Sequence, residues 1–234
     1  MINVEDYLHK HYMHKSNWLR AAVLGANDGI LSVSSIAIGV AAASTTKEAI
    51  ILATLAGLVA GALSMAAGEY VSVSSQTDTE HADIERETRE LQHNPEQELA
   101  VLTVLFERRG LSKATAALVA KELTEKDALA VHMREELGIN DITQAHPIQA
   151  ALASGASFTA GAVLPLLITF LVPLAYVKYS LYGFSIIFLA VLGFIAARTG
   201  GSPVGKAMLR ISIWGTLAMG ASAFVGYLFG VQVQ

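Results

Sequence analysis

Five stretches of this chain are long, apolar and nearly free of charge, at about residues 21–43, 49–73, 158–177, 180–197 and 208–230. At 1.5 Å of rise per residue, such stretches in helical form are matched to a hydrocarbon core ~30 Å thick. Between the second and third the pattern changes to short apolar spacings set in polar sequence, broken by helix punctuation. Asn94-Pro95 stops a helix running out of the second stretch near Gln92, Gly110 follows another, and Gly138 fits the position just past a helix end. Thr124 with Asp127 three residues later resembles a capping box, and His146-Pro147 opens the helix leading into the third stretch. The pattern predicts an all-α polytopic membrane protein with five transmembrane helices and a helical insert between spans two and three. Three short insert helices are expected, roughly 96–109, 112–122 and 125–137. The implied division is 1–20, an N-terminal segment; 21–75, spans one and two; 76–148, the insert; and 149–234, spans three to five.

Composition agrees with this class. Of 234 residues 53% are hydrophobic and 15% charged, with mean hydropathy +0.47, too apolar for a soluble domain of this size. Of the 20 acidic residues 15 lie between Asp78 and Asp141, with 8 of the 16 basic ones, so the insert is the hydrophilic part. A net charge of −4 without a basic stripe gives nothing for nucleic acid to bind. The absence of cysteine excludes thiolate metal sites and disulfides. The first apolar run is too long for a signal-peptide core and no small-residue cleavage site closes it. Lys10, Lys15 and Arg20 precede the first span, and Arg198, Lys206 and Arg210 bracket the fourth connection. The positive-inside rule therefore places the N-terminus, the insert and the 198–210 connection in the cytoplasm and the C-terminus on the opposite side.

Two carboxylates interrupt the apolar spans. Asp28 shares a helical face with Ser32 and Ser35, while Ser64, Met65, Gly68, Glu69, Ser72 and Gln76 form a polar or soft stripe on the second span. A charge at mid-bilayer costs roughly 2.5–3.5 kcal/mol on insertion scales, so such residues usually line a path for ions or substrate. Oxygen ligands alone suit hard cations, and a thioether among them tilts the choice toward Fe²⁺ or Mn²⁺. Asp28, Met65, Glu69, Ser32 and Ser64 are the expected transport path. A carboxylate that exchanges a proton for a metal ion would couple the two fluxes. Gly57 with Gly61, and Gly226 with Gly230, permit close helix approach either within a subunit or between subunits.

The insert carries a second constellation. Glu87 and Glu90 lie with Asp83 along the extension of the second span, Glu98 follows the Asn94-Pro95 break, and His132, Met133 and Glu136 cluster near the end of the last insert helix. Carboxylate, imidazole and thioether groups of these kinds could converge in a metal-binding cup. A solvated face neutralised by Arg86 and Arg89 is the competing reading. Asp78-x-x-His81 and Glu90-x-x-His93 echo the Glu-x-x-His element of di-iron proteins, but both lie on one helix and would need a symmetry mate.

Asn27-Asp28-Gly29 in a serine-rich first span, and Ser64-Met65-Ala66-Ala67-Gly68-Glu69-Tyr70-Val71-Ser72-Val73 with Gln76 in the second, resemble the vacuolar iron transporter family. The resemblance extends through Arg109-Gly110-Leu111, Asp127-Ala128-Leu129-Ala130, Glu135-Glu136-Leu137-Gly138, Pro147-Ile148-Gln149-Ala150-Ala151 and Leu164-Pro165-Leu166, nearly the whole chain. It implies a homodimer with five spans per subunit, a cytoplasmic metal-binding domain, and export of Fe²⁺ from the cytosol in exchange for protons. It also implies that Asp28 and Met65, with Glu69 beside them, form the membrane path. Glu87, Glu90, Glu98, His132, Met133 and Glu136 would occupy the cytoplasmic metal site. Two positions depart from the family pattern: Val101 stands where another glutamate is frequent, and His132 where a methionine can occur.

The expectation is thus a transporter and no enzyme, resident in a cell inner membrane or a vacuole-like membrane. Its partners are the lipid bilayer, divalent metal ions, protons and a second copy of the chain. Fe²⁺ is the transported ion, Mn²⁺, Zn²⁺ and Co²⁺ are further candidates for binding, and no organic cofactor is needed. The rival is a membrane-anchored ferroxidase or metal sensor that works through the insert, against which the carboxylates deep in two spans argue.

Overall fold

A computed structural model describes residues 16–43, 46–139 and 146–232. Its helices are α1 (Ser16–Ala43), α2 (Lys47–His93), α3 (Pro95–Arg108), α4 (Lys113–Glu135), α5 (Pro147–Leu171), α6 (Val177–Thr199) and α7 (Val204–Gln232), with a 3₁₀ turn at Leu174–Tyr176 before α6. Five helical segments are long and apolar enough to cross a membrane: Ala22–Ala43, Lys47–His93, Pro147–Leu171, Leu174–Thr199 and Val204–Gly230. The protein is an all-α polytopic membrane protein. The chain divides into two compact units, one of residues 1–69 with 149–234 and the other of residues 70–148.

In the first unit the helices approach at small residues. A Cβ on Gly29 of α1 would strike the backbone carbonyl of Phe158 in α5, and one on Gly161 of α5 would strike the carbonyl of Ala26. These helices therefore cross backbone to backbone, as membrane helices do when no solvent drives them together. Phe158 fills the space beside this crossing with Val33 and Ala162, and Leu58, Ala62 and Met65 of α2 pack against them. A second apolar cluster joins Ala37 and Ile38 of α1, Ile50 of α2, Ile168 of α5, Val177 and Leu181 of α6 and Met219 of α7. Ser34 and Ser185, both fully buried, share a hydrogen bond of 2.7 Å between α1 and α6. The four glycines of the spaced pairs all serve packing within the chain: Gly57 faces Ile36, Gly61 the Phe158 ring, and Gly226 and Gly230 the backbone of Gly39 to Ala43.

The third span lies earlier than the hydropathy pattern predicts. The 158–177 stretch runs through Pro173, but α5 starts at Pro147 and ends at Leu171, and Pro173 sits in extended geometry (φ −59°, ψ 146°) ahead of the 3₁₀ turn. Proline lacks the amide hydrogen that would continue the ladder and disfavours helix in the residue before it, so hydrophobicity continues where the helix cannot. Pro165, by contrast, is tolerated inside α5, where it is buried.

In the second unit α3 packs against α4 through Leu102, Phe106, Ala116, Ala120 and Val131. Ser112 caps α4, its hydroxyl accepting the Thr115 amide at 3.3 Å. The expected 112–122 and 125–137 helices form one element broken at Asp127 (φ −164°, ψ 94°), whose carboxylate accepts the Ala130 amide at 3.0 Å. Asp127 is thus the cap of the second half, in place of the expected Thr124, whose hydroxyl is buried without a partner. Gly110 and Gly138 take positive φ (99° and 70°) past the ends of α3 and α4, as their positions predict.

If the α1–α5 crossing holds the membrane unit together, Gly29→Ala costs about 1–3 kcal/mol, the usual penalty for overpacking. Thermal unfolding of the purified protein in detergent should show a lowered midpoint, whereas Gly68→Ala, where an added Cβ meets nothing within 4 Å, should leave it unchanged.

Candidate metal centre

The break at Asp127 restarts the helix so that Val131 enters the apolar core and His132 beside it is drawn fully out of solvent. Glu87 is carried in by α2 and is 1% exposed, and Glu98, 7% exposed, comes from the first turn of α3 behind the Asn94-Pro95 stop. Glu136 caps the end of α4 and is exposed. One ligand atom from each of Glu87, Glu98, His132 and Glu136 lies within 4.8 Å of every other. A cation bound at about 2.1 Å keeps its ligand atoms within about 4.2 Å of one another. The group is thus only modestly wider than a coordination sphere.

The hydrogen bonding within the group is incomplete. His132 Nδ1 lies 3.1 Å from Glu136 Oε2 in hydrogen-bond geometry. The same nitrogen lies 2.9 Å from Glu87 Oε1, but that contact is not directed as a hydrogen bond, so Glu87 Oε1 remains a buried acceptor without a donor. His132 Nε2 is likewise buried and unpartnered. Buried polar atoms left in this condition cost stability unless something satisfies them, and a cation satisfies both a carboxylate oxygen and a neutral imidazole nitrogen. Three carboxylates with one imidazole suit first-row ions such as Fe²⁺, Mn²⁺, Zn²⁺ or Co²⁺.

Electrostatics support the same account. The Glu87 carboxyl is raised above its ordinary value near 4.5, first by burial and then by the negative charge of Glu136, against an opposing pull from His132. Glu98 is raised for the same first reason, opposed by His132 and assisted by Glu136 and Glu90. Protons or a cation must therefore offset the charge gathered here.

Of the six insert residues singled out from sequence, four converge. Glu90 lies outside the four-atom group, pairs with Arg86 at 3.8 Å, and acts on Glu87 and Glu98 through its charge. Met133 is half-buried and follows His132 on α4. His81 and His93 are exposed, and His93 Nδ1 contacts the carbonyl of Arg89 at 2.7 Å, so the di-iron echo is not built among the described residues of this chain. Arg86 and Arg89 are exposed, so the arginines leave the buried group un-neutralised. In the membrane unit, Asp28 accepts the Ser32 hydroxyl at 2.6 Å, which orients the carboxylate on α1. Met65 and Glu69 are half-buried, and Ser64 is exposed. Asn27 was not assigned a role from sequence, yet its side-chain oxygen is buried and unpartnered next to Asp28, as is the Ser35 hydroxyl. The signals for Asn27 in the sequence were its place in the Asn27-Asp28-Gly29 motif and its position beside an intramembrane charge.

The sequence profile of the VIT family matches residues 19–227. The chain belongs to the VIT family. Its relatives include a protein of Acanthamoeba castellanii named "Vacuolar iron transporter", 45% identical over 96% of this chain and 84% of its own length. "Vacuolar iron transporter homolog 1" of Oryza sativa subsp. japonica is 39% identical over 94% of this chain and 78% of its own. "VIT-like transporter 1b" of Glycine max is 32% identical over 97% of this chain and 83% of its own. The matched range includes residues of both units.

Raised carboxyl values fix the sign of the pH dependence. Between the ordinary carboxyl value and the raised one, the folded protein holds more protons than the unfolded chain, so stability falls as pH rises through that window and stays lower above it. With a chelator present, the unfolding midpoint of the full-length protein should decline from mildly acidic to neutral pH. Added Mn²⁺ or Zn²⁺ should reverse the slope, because ligands bind metal in their deprotonated forms. Glu87→Gln, keeping the shape and removing one charge, should flatten the chelator curve; an unaltered slope would place the pH dependence elsewhere.

Proposed function

We propose that this protein carries Fe²⁺ out of the cytosol across the membrane in exchange for protons, with Mn²⁺ as a second substrate. The observation that carries the reading is the convergence of Glu87, Glu98, His132 and Glu136 on one small volume with two buried ligand atoms unsatisfied. The names of the relatives favour iron as the cargo.

In this reading the insert collects the ion. Raised carboxyl values let Glu87 and Glu98 hold protons in the absence of metal and release them to it, so capture strengthens as cytosolic pH rises. Asp28, held by Ser32, and Glu69, with the Met65 thioether one turn earlier on α2, then pass the ion through the spans, with Ser64 and Asn27 offering neutral oxygen. A carboxylate in hydrocarbon is least costly when it carries either a proton or a cation, and this exclusivity is what couples the fluxes. The α2 span favours a homodimer: 11% of its most apolar stretch is buried within the chain against 44% for α1, although α2 carries half of the proposed path. A second copy would cover that face. The N-terminus and insert face the cytosol in a vacuole-like or inner membrane.

Replacing Glu87, Glu98 and Glu136 together by Gln should weaken metal binding to the full-length protein by at least about ten-fold, which requires only about 1.4 kcal/mol. Calorimetry with Mn²⁺ measures it, and transport should then fall at limiting metal more than at saturation. Asp28→Asn and Glu69→Gln should do the opposite, abolishing flux while metal still binds the insert. Met65→Leu, a swap that usually costs under about 1.5 kcal/mol, should leave folding intact and weaken discrimination of Fe²⁺ from Mg²⁺. Oxidation of Fe²⁺ without flux would favour the anchored ferroxidase instead, and wild-type flux in Asp28→Asn would remove the first span from the path.

A further inference from the structure

Charge in the last two fifths of the chain is one-sided. From Ile142 to Gln234 there is no aspartate or glutamate, while Lys178, Arg198, Lys206 and Arg210 are all cationic. Lys178 stacks over the Tyr179 ring at 5.0 Å, and Lys47 elsewhere in the same unit donates to the carbonyl of Phe170 at 2.8 Å. Lys206 and Arg210 form no ion pair among the described residues. They are exposed one turn apart on α7 and line a shallow cavity of about 300 Å³ with Leu209, Ile213 and Trp214. The stripe follows the i, i+3, i+4, i+7, i+8 pattern of a single helix face.

We propose that this face is a binding site for an anionic phospholipid of the surrounding leaflet. Polarity is graded along the face: Lys206 and then Arg210 begin the helix, and Trp214 stands one turn further into the apolar span. Arginine forks onto phosphate oxygens and lysine adds a point charge. Tryptophan prefers the headgroup boundary, and the exposed flanks of Leu209 (62%), Ile213 (49%) and Trp214 (66%) offer an acyl chain an apolar track. A free phosphate would satisfy the cations and leave those flanks bare, and a neutral lipid would cover the flanks without answering two uncompensated charges. Only an amphiphile with a net negative head matches the whole stripe, and this holds whatever ion the protein carries.

The chain has two tryptophans, Trp18 and Trp214, so Trp18→Phe leaves Trp214 as the sole reporter. The full-length Trp18→Phe protein, reconstituted in phosphatidylcholine vesicles, is titrated with brominated phosphatidylglycerol or brominated phosphatidylcholine, whose acyl bromines quench a neighbouring indole. The anionic lipid should quench at a mole fraction lower on the order of ten-fold, the scale set by two cations beside a charged headgroup. That preference should vanish in Lys206→Gln/Arg210→Gln and survive in Lys206→Arg/Arg210→Lys, and inorganic phosphate should not compete. Equal quenching by the two lipids in the parent would overturn the proposal, as would a preference that persists in the glutamine pair. Its abolition by inorganic phosphate would make the site one for a free anion, which also overturns it. The comparison of lipids in the parent protein stands even if the glutamine pair does not insert.

Discussion

The arrangement of the insert turns on the cost of holding carboxylates together out of water. Glu87 and Glu98 are almost entirely buried, Glu136 closes over the same spot, and one imidazole sits among them with a nitrogen unpartnered. Burial first, and then the negative charge of Glu136 and Glu90, raises both buried carboxyls against the opposing pull of His132. Protons offset part of this charge, and in the proposed function a bound cation would offset the rest. The surrounding structure serves this end: the Pro95 stop delivers Glu98, the restart at Asp127 delivers His132, and the Leu102–Phe106–Ala116–Ala120–Val131 core holds α3 and α4 in register.

The same tension recurs in the spans with a different resolution. Asp28 accepts the Ser32 hydroxyl on its own helix, with the Asn27 oxygen buried and, among the described residues, unpaired beside it. Backbone-to-backbone contact at Gly29 and Gly161 fixes α1 against α5, and the buried Ser34–Ser185 hydrogen bond ties α1 to α6. In the proposed exchange, rigid placement of α1 would matter because a carboxylate trading a proton for a cation must keep its neighbours at fixed distances while its own charge changes.

Much of this was legible from residues alone, and the exceptions are physical. Hydropathy located all five spans because burial in lipid demands long apolar runs, but it carried the third span through Pro173, since hydrophobicity does not record a missing amide hydrogen. Turn chemistry located Gly110, Gly138 and Pro95 because positive φ and a blocked ladder are local properties. It misassigned the cap at Thr124 because Thr and Asp three residues apart offer two competing acceptors, and the better one, Asp127, took the role. Of the six candidate insert ligands, four come together in the structure: Glu87, Glu98, His132 and Glu136. Glu90 stayed with Arg86, as helix periodicity alone could not tell which acidic residue of α2 would turn inward.

Fe²⁺ flux in liposomes reconstituted with the purified protein, read together with a pH dye trapped in the lumen, tests the proposed exchange most directly. With an acidic lumen, external Fe²⁺ kept reduced should enter while the lumen turns alkaline, and reversing the gradient should suppress entry. Uptake indifferent to the sign of the pH gradient, or entry with no proton efflux, would contradict an exchange of metal for protons at these carboxylates.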